Sequence, residues 1–195
     1  KRKLIDPANG IYDLNNSLLR SYYCENLVDD PLRILRCFRF VSELNFKIEP
    51  HILKFIELNK FQLKTVSVER IQYELKKIVQ GKEALKTVQF LNDIKIFEWV
   101  QSYENIHSNG LLSLNFDNFL VDEIDKFFPI VYLKELLKEP VIKKFKFSKS
   151  DIFAINSLRK WSEKLKEKSI INFTEIERFD LHKDLEMILP AFILY

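Results

Sequence analysis

One aspartate and three arginines within residues 30–39 have the types and spacing needed to bind a nucleotide or RNA. Arg33, Arg36 and Arg39 are spaced three residues apart, so a helix carries them on one side within an arc of about 120°. Guanidinium groups hold phosphates through paired hydrogen bonds. This arginine row (Arg33, Arg36 and Arg39) could therefore follow a triphosphate or an RNA backbone, with Asp30 one turn before it.

Asp30 and Arg33 together offer an acceptor and a donor at a fixed separation. The carboxylate can accept from the exocyclic amine of cytosine or adenine, while the guanidinium donates to the ring nitrogen or the cytosine carbonyl. Uracil and guanine would bring a carbonyl oxygen against Asp30 and be repelled. The alternative is a solvent-exposed ion pair on a helix surface that contributes at most about 0.5 kcal/mol.

A helix over residues 30–45 must position these side chains. Its apolar residues recur at helical spacing on the side away from the arginines. They are Ile34, Leu35, Phe38, Val41 and Leu44. Asp30 is expected to cap this helix, Pro31 suits its first turn and Asn45 ends it.

The rest of the chain is also predicted to be helical. Asp6-Pro7 and Asn9-Gly10 are turn dipeptides, so residues 1–13 are expected to form a connector. Pro50 opens a helix that runs to about Leu58, Ser67 caps another and Gly81 separates that from the next. Further helices are predicted over residues 117–127, 129–138, 150–166 and 181–189. With no convincing strand alternation, the class is all-α, made of antiparallel helices with short connections.

Composition excludes several classes of protein. The three glycines are scattered, which rules out the clustered glycines of phosphate-binding loops. No apolar run approaches the roughly 20 residues that span a membrane, and no signal-peptide core is present. The two cysteines fit reduced thiols in a cytoplasmic protein, and the histidines lack a metal-ligand pattern. A net charge of +3 does not by itself indicate a nucleic-acid partner.

Three segments, in this order, resemble the bacterial class II tRNA nucleotidyltransferases. This family holds the CCA-adding enzymes with their A-adding, CC-adding and poly(A) polymerase relatives. DPANGIYDL at residues 6–14 is similar to the family's hinge motif, and DDPLRILRCFRF at residues 29–40 to its EDxxR nucleotide-recognition motif. VSVER at residues 66–70 is similar to the start of the helix that supports the recognition helix. The resemblance extends from Asp6 to about Asn92.

The resemblance implies roles for individual residues. Asp30 and Arg33 would be the amino-acid template that selects CTP and ATP, and Arg36 and Arg39 would line the same pocket near the phosphates. The hinge motif would contribute Asp6, Gly10 and Asp13, and the supporting helix Glu69 and Arg70. Asp29 departs from the family, which usually has glutamate at that position.

The resemblance also implies a domain order and a missing part. Helical neck, body and tail domains are expected, with residues 1–28 as hinge and linker, 29–92 as neck, 93–149 as body and 150–195 as tail. Nucleotidyl transfer needs Mg²⁺ held by paired carboxylates, which in the family lie in a head domain before the hinge. We therefore expect the 195-residue chain to be inactive alone, with no metal site of its own, and a separate head is possible if the enzyme is split.

A second basic segment lies at residues 143–149. Lys143, Lys144, Lys146 and Lys149 alternate with Phe145 and Phe147. The lysines could contact RNA phosphates, or the phenylalanines could simply face the core while the lysines face water. In the family, body and tail hold tRNA by shape and backbone contacts, which suits such lysines.

The predicted function is the nucleotide-selecting and tRNA-binding part of an enzyme that adds C, A or both to the tRNA 3′ end, with tRNA, ATP and CTP as partners and no membrane. One alternative is a bacterial poly(A) polymerase relative. The other is a stand-alone helical RNA-binding module without catalysis.

Overall fold

Apolar residues at helical spacing bury one face of each helix and so assemble the fold. The computed structural model describes residues 5–100, 133–134, 136–137 and 139–186. The chain divides into two compact units, Lys1–Val100 and Gln101–Tyr195. The prediction of an all-α protein is confirmed, since the regular structure within the described residues is helical apart from two strands of two residues each.

The first unit contains six α-helices, one 3₁₀ helix and the two strands in its described residues. In chain order they are α1 (Gly10–Asn15), β1 (Leu18–Leu19), α2 (Asn26–Asp29), α3 (Leu32–Leu44), β2 (Lys47–Ile48), α4 (Pro50–Asn59), the 3₁₀ helix (Lys60–Thr65), α5 (Val68–Val79) and α6 (Ala84–Asp93).

Helix α3 is the centre of this unit and packs against α5 and α6. Ile34, Leu35 and Phe38 on its inner face are fully buried. The rings of Phe38 and of Phe90 on α6 form a T-shaped pair with a centroid distance of 5.4 Å. Burial of these side chains fixes the rotation of α3 about its axis and thereby determines where its arginines lie.

Several ends of these helices lie where the sequence predicts them. Asn45 ends α3 in the left-handed conformation, at φ 55° and ψ 35°, which asparagine tolerates better than most residues. Pro50 begins α4 and Ser67 precedes α5 as predicted, although the Ser67 side chain accepts no capping hydrogen bond.

The two strands tie the segment before α2 to the segment after α3. They pair in parallel, with Leu18 opposite Lys47 and Leu19 opposite Ile48. Lys47 N–H donates to the Ser17 carbonyl at 2.7 Å, and Glu49 N–H to the Leu19 carbonyl at 3.1 Å. These bonds attach the residues that follow β1 to the body of the unit.

The second unit contributes α7 (Glu139–Lys144), α8 (Lys149–Glu167), a 3₁₀ turn (Ile170–Asn172) and α9 (Glu175–Leu185) to the described residues. Trp161 on α8 is fully buried and lies 5.9 Å from the Phe173 ring, between centroids. Helix α9 packs on α8.

Three of the predicted boundaries are wrong. Residues 10–15 form α1 rather than a connector, because the Asp6 carboxylate accepts from the free N–H groups of Gly10 and Ile11 at 2.7 and 3.0 Å. Helix α9 begins at Glu175 rather than at residue 181, because Thr174 and Glu177 form a capping box. Helix α3 begins after Pro31, and Asp30 does not cap it.

The predicted helix over residues 150–166 is confirmed by α8. The one predicted over residues 117–127 and most of that over 129–138 lie outside the described residues. Across the described ranges, no helix combines the length and the apolar character needed to cross a membrane.

Candidate functional site

A cavity of about 410 Å³ opens beside the outer face of α3. Arg33 and Arg36 reach it from α3, and Arg20 reaches it from the segment after β1. Leu27, Phe40 and Ile52 contribute apolar wall. Among the described residues, no aspartate or glutamate lines it. Three guanidinium groups in a partly apolar cavity form a surface suited to an anion.

Asp30 lies next to Arg33, as the sequence predicted, but its carboxylate has an additional partner. One carboxylate oxygen is 3.9 Å from Arg33 Nε. Arg70 Nη2, on α5, donates to both oxygens at 3.1 and 3.3 Å. The predicted capping role is wrong because this carboxylate turns toward α5 instead of toward the first amides of α3.

Arg33 is held from its other side by the backbone. Its Nη1 donates to the Asn26 carbonyl on α2 at 3.2 Å. The side chain is 47% exposed, so its remaining N–H groups are accessible to a ligand. Arg33 and Asp30 therefore present a donor and an acceptor side by side, each fixed by a neighbouring element.

The arginine row is not equally open along its length. Arg36 is exposed and lines the cavity. Arg39 has an exposed side-chain fraction of only 16%, and its guanidinium lies 3.2 Å from Glu74 on α5 and 3.5 Å from Glu43. The sequence places all three arginines on the side of α3 away from its apolar residues, but Arg39 is largely covered there, because α5 packs against α3 and brings Glu74 to it. A nucleotide contact by Arg39 stays a prediction.

Glu74 is a residue that sequence reasoning missed. It is buried on α5 between Ile71 and Leu75. Burial raises the pKa of its carboxyl, and the positive charge of Arg39 acts in the opposite direction. The signal in the sequence was a glutamate on the apolar face of an amphipathic helix, which requires a cationic partner from a neighbouring element.

The predicted hinge residues gather around α1. Asp6 caps its amino end through Gly10 and Ile11. Asp13 lies 2.7 Å from Arg20 Nη2, and this contact raises the pKa of the Arg20 guanidinium. Gly10 is not required for space, since a Cβ there would meet the nearest atom at 3.5 Å. Of the two supporting-helix residues, Arg70 reaches Asp30 and Glu69 lies exposed in the first turn of α5.

Both cysteines are free thiols. Cys37 lines the cavity, and burial raises its pKa to about 11. It is therefore a neutral group in the cavity wall at physiological pH. It adds apolar surface near Arg36 and no charge.

The basic segment of the second unit separates its two residue types. Phe145 and Phe147 are buried, while Lys143, Lys144, Lys146 and Lys149 are exposed. The alternative in which the rings face the core is correct for the phenylalanines. Exposed lysines at these positions are compatible with phosphate contacts, which remain a prediction.

No group of three or more metal-ligating side chains occurs in the part of the chain that the structure describes. The Mg²⁺ that the resemblance implies would be held by carboxylates of a head domain, and binding of Mg²⁺ there stays a prediction.

The chain matches known proteins over part of its sequence. A family model described as the probable RNA and SrmB-binding site of polymerase A matches residues 45–104. A CCA-adding enzyme of Staphylococcus aureus is 32% identical over 111 residues, which are 56% of this chain and 28% of the relative. A CC-adding tRNA nucleotidyltransferase of Shouchella clausii is 39% identical over 93 residues, which are 47% of this chain and 25% of the relative.

Solved structures match the fold over nearly the whole chain. A CCA-adding enzyme with ATP superimposes with a TM-score of 0.67 at 20% identity, covering 97% of this chain and 48% of that one. The Thermotoga maritima CCA-adding enzyme complexed with tRNA gives a TM-score of 0.65 at 20% identity, covering 95% of this chain and 48% of that one. The chain thus spans about half the length of these two structures, and its match covers about a quarter of the length of each of the two sequence relatives.

Proposed function

We propose that this chain, which belongs to the class II tRNA nucleotidyltransferase family, selects the incoming nucleotide and holds tRNA for an enzyme that adds C, A or both to the tRNA 3′ end. The observation that carries the proposal is the placement of Asp30 beside Arg33 next to a cavity lined by arginines. The two sequence relatives are a CCA-adding enzyme and a CC-adding tRNA nucleotidyltransferase.

Base selection follows from the hydrogen-bonding groups of Asp30 and Arg33. Cytosine and adenine each carry an exocyclic amine next to a ring nitrogen that accepts. The amine donates to the Asp30 carboxylate, and Arg33 donates to the ring nitrogen. Uracil and guanine have a carbonyl and a ring N–H in these places. The carbonyl would face the Asp30 carboxylate, which is also an acceptor, and the ring N–H would face the Arg33 guanidinium, which is also a donor. A difference of about 1–3 kcal/mol per bidentate contact is expected.

The contact with Arg70 is compatible with this reading. An ionised carboxylate has about four lone-pair sites, and Arg70 Nη2 uses one direction at each oxygen. Acceptor capacity therefore remains for a base. Arg70 limits rotation of the carboxylate and so acts as a positioning residue for the pair.

Phosphate and RNA contacts complete the proposal. Arg36 lines the cavity, and no aspartate or glutamate of the described ranges does. This setting suits the nucleotide phosphates. The family model for an RNA-binding site covers residues 45–104. The exposed lysines Lys143, Lys144, Lys146 and Lys149 would add contacts to the RNA backbone, which is recognised through charge rather than sequence.

The first experiment measures binding of CTP, ATP, UTP and GTP to the 195-residue chain by calorimetry without metal. CTP and ATP should bind about tenfold tighter than UTP and GTP. Asp30→Ala and Arg33→Ala should remove this preference. Arg178→Gln serves as the control, because the Arg178 guanidinium lies in the second unit, where it donates to the Ile171 carbonyl at 2.9 Å. Equal binding of all four nucleotides to the unmodified chain would overturn the base-reading proposal.

A second experiment tests catalysis by the chain itself. We propose that it lacks nucleotidyl transfer activity alone, because paired carboxylates for Mg²⁺ are expected in a head domain. The chain is incubated with Mg²⁺, labelled ATP and CTP, and tRNA without its 3′-terminal CCA. No incorporation is expected. Incorporation that survives removal of every other protein would contradict this part of the proposal.

A stand-alone RNA-binding module is the second candidate, favoured by the description of the family model over residues 45–104. The two candidates differ in the effect of Arg33→Ala. A nucleotide-selecting site loses its preference among nucleotides, whereas an RNA-binding module shows a modest loss of RNA affinity and no nucleotide preference to lose.

A further inference from the structure

The cavity beside α3 contains a third arginine that the nucleotide-recognition motif does not supply. Arg20 follows β1 and lies in the same lining as Arg33 and Arg36. Its side chain is 30% exposed, and Asp13 of α1 is 2.7 Å away. The guanidinium also lies over the Tyr12 ring, 5.7 Å from its centroid. Arg20 therefore faces the cavity while it is paired with a carboxylate outside the cavity lining.

We propose that Arg20 binds a phosphate group of the ligand in this cavity, and that this phosphate competes with the Asp13 carboxylate for the Arg20 guanidinium. This inference rests on the proposed function, because the phosphate belongs either to the incoming nucleotide or to the RNA backbone. It adds a phosphate-binding residue from outside α3 to the site.

The composition of the cavity supports an anionic ligand. Arg20, Arg33 and Arg36 come from two separate segments, so they approach the cavity from different directions. The cavity volume of about 410 Å³ falls within the range of about 300–1,000 Å³ usual for small-molecule sites. The apolar wall from Leu27 and Ile52 lowers the local dielectric constant, which strengthens attraction between guanidinium and phosphate.

Asp13 is well suited to be a competing counter-ion. A phosphate offers more negative charge and more acceptor oxygens to a guanidinium than one carboxylate does. Arg20 is fixed to the unit by the pairing of β1 with β2, through Glu49 N–H and the Leu19 carbonyl. Helix α1, in contrast, has no buried residue. Exchange of the carboxylate for a phosphate would therefore loosen α1 and leave Arg20 in the cavity wall.

The test uses the 195-residue chain and inorganic tripolyphosphate without metal, measured by calorimetry. Arg20→Gln should weaken binding about tenfold, since it removes a charged hydrogen-bond donor. Asp13→Asn should tighten binding about two- to fivefold, since it removes a negative charge next to Arg20. Arg178→Gln, an arginine of the second unit, should leave binding unchanged.

The opposite signs of the two variants separate the proposal from a purely structural role. If the Arg20–Asp13 pair only maintained the fold, both variants would weaken binding. That result would overturn the proposal, as would Arg20→Gln binding both tripolyphosphate and RNA as tightly as the unmodified chain does. Hydrogen exchange supplies a second readout. Amides of residues 10–15 in the unmodified chain should exchange faster with tripolyphosphate bound than without it. In Asp13→Asn without ligand, they should exchange as fast as in the unmodified chain with tripolyphosphate bound. Unchanged exchange on binding would contradict the competition.

A parallel titration with a short single-stranded RNA that ends in CC identifies the source of the phosphate. If Arg20→Gln weakens the binding of tripolyphosphate, the phosphate belongs to the nucleotide. If it weakens the binding of the RNA alone, the phosphate belongs to the RNA backbone. Failure of both probes to bind the unmodified chain overturns the proposal. The ratio of CTP to UTP binding should be the same in Arg20→Gln as in the unmodified chain. If the unmodified chain bound CTP and UTP equally, base selection would be refuted, and the tripolyphosphate result would still stand.

Discussion

Arg70 on α5 donates to both carboxylate oxygens of Asp30, 40 residues earlier in the chain, at 3.1 and 3.3 Å. This contact joins the supporting helix to the residue proposed to accept from the base. Both side chains are partly exposed, with fractions of 52% for Arg70 and 29% for Asp30. A surface ion pair of this kind adds little to stability. Its consequence is orientation, because two bonds from one nitrogen restrict how the carboxylate can turn.

The first prediction concerns this orientation. Arg70→Ala should reduce the preference for CTP over UTP about three- to tenfold, since the Asp30 carboxylate becomes free to rotate. Arg70→Lys should restore part of the preference, because the ammonium can still reach one oxygen. Competition binding with the two nucleotides measures the ratio. An unchanged ratio in Arg70→Ala would mean that Arg33 and α3 alone orient Asp30.

A second prediction concerns the buried pair of Glu74 and Arg39. Glu74→Gln should lower the free energy of unfolding by about 1–3 kcal/mol, because Arg39 loses a charged partner in a site with little access to water. Glu43 remains 3.5 Å from Arg39, which keeps the loss below that of a fully isolated charge. Urea unfolding provides the measurement. Glu69→Gln, exposed on the same helix, is the matched control and should be nearly neutral.

The sequence predicted the helices of the first unit because their signals are local. The apolar spacing of α3, the left-handed Asn45 and the helix-starting Pro50 each act within a few residues. The placement of Asp30 beside Arg33 was predictable for the same reason, since the two residues are one helical turn apart. The pairing of Arg39 with Glu74 joins residues 35 positions apart and depends on how α3 and α5 pack. A single sequence carries no record of that contact.

Two errors of prediction have local causes. Turn dipeptides at Asp6-Pro7 and Asn9-Gly10 suggested a connector, yet the Asp6 carboxylate caps the helix that starts at Gly10. The early start of α9 was marked in the sequence by Thr174 and Glu177, which form a capping box. The apolar pattern does not reinforce that signal, because the helix carries exposed apolar residues, including Ile176 and Phe179, and lacks a clear apolar face.

The third prediction compares two glycines. At Gly81, a Cβ would lie 2.6 and 2.7 Å from the backbone carbon and oxygen of Ser42 on α3. Gly81→Ala must therefore move backbone that also accepts a bond from Glu83 N–H at 2.9 Å. A loss of about 1–3 kcal/mol is expected. Gly10→Ala, with its nearest contact at 3.5 Å, should change stability by no more than about 0.5 kcal/mol. Similar losses in both variants would contradict the close approach at Ser42.

The fourth prediction concerns the pH dependence of the contact between α8 and α9. Glu177 accepts from Lys168 at 2.9 Å, from Thr174 N–H at 2.8 Å and from Lys164 at 3.1 Å. These bonds lower the pKa of the Glu177 carboxyl from the ordinary 4.5 to about 2, and the bond from Lys168 has the largest effect. A carboxyl with a lowered pKa in the folded state stabilises the protein above its unfolded pKa. That stabilisation is lost as the pH falls from 4.5 toward about 2.

Urea unfolding between about pH 7 and pH 2.5 should therefore show an acid-dependent loss of stability that Glu177→Gln reduces. A Trp99→Phe background leaves Trp161, on α8, as the only tryptophan, so its fluorescence reports on the second unit. Glu175→Gln, exposed in the first turn of the same helix, should keep the full acid dependence. If Glu177→Gln retained the same slope between pH 4.5 and 2 as the unmodified chain, Glu177 would not be the group whose protonation weakens the contact between α8 and α9.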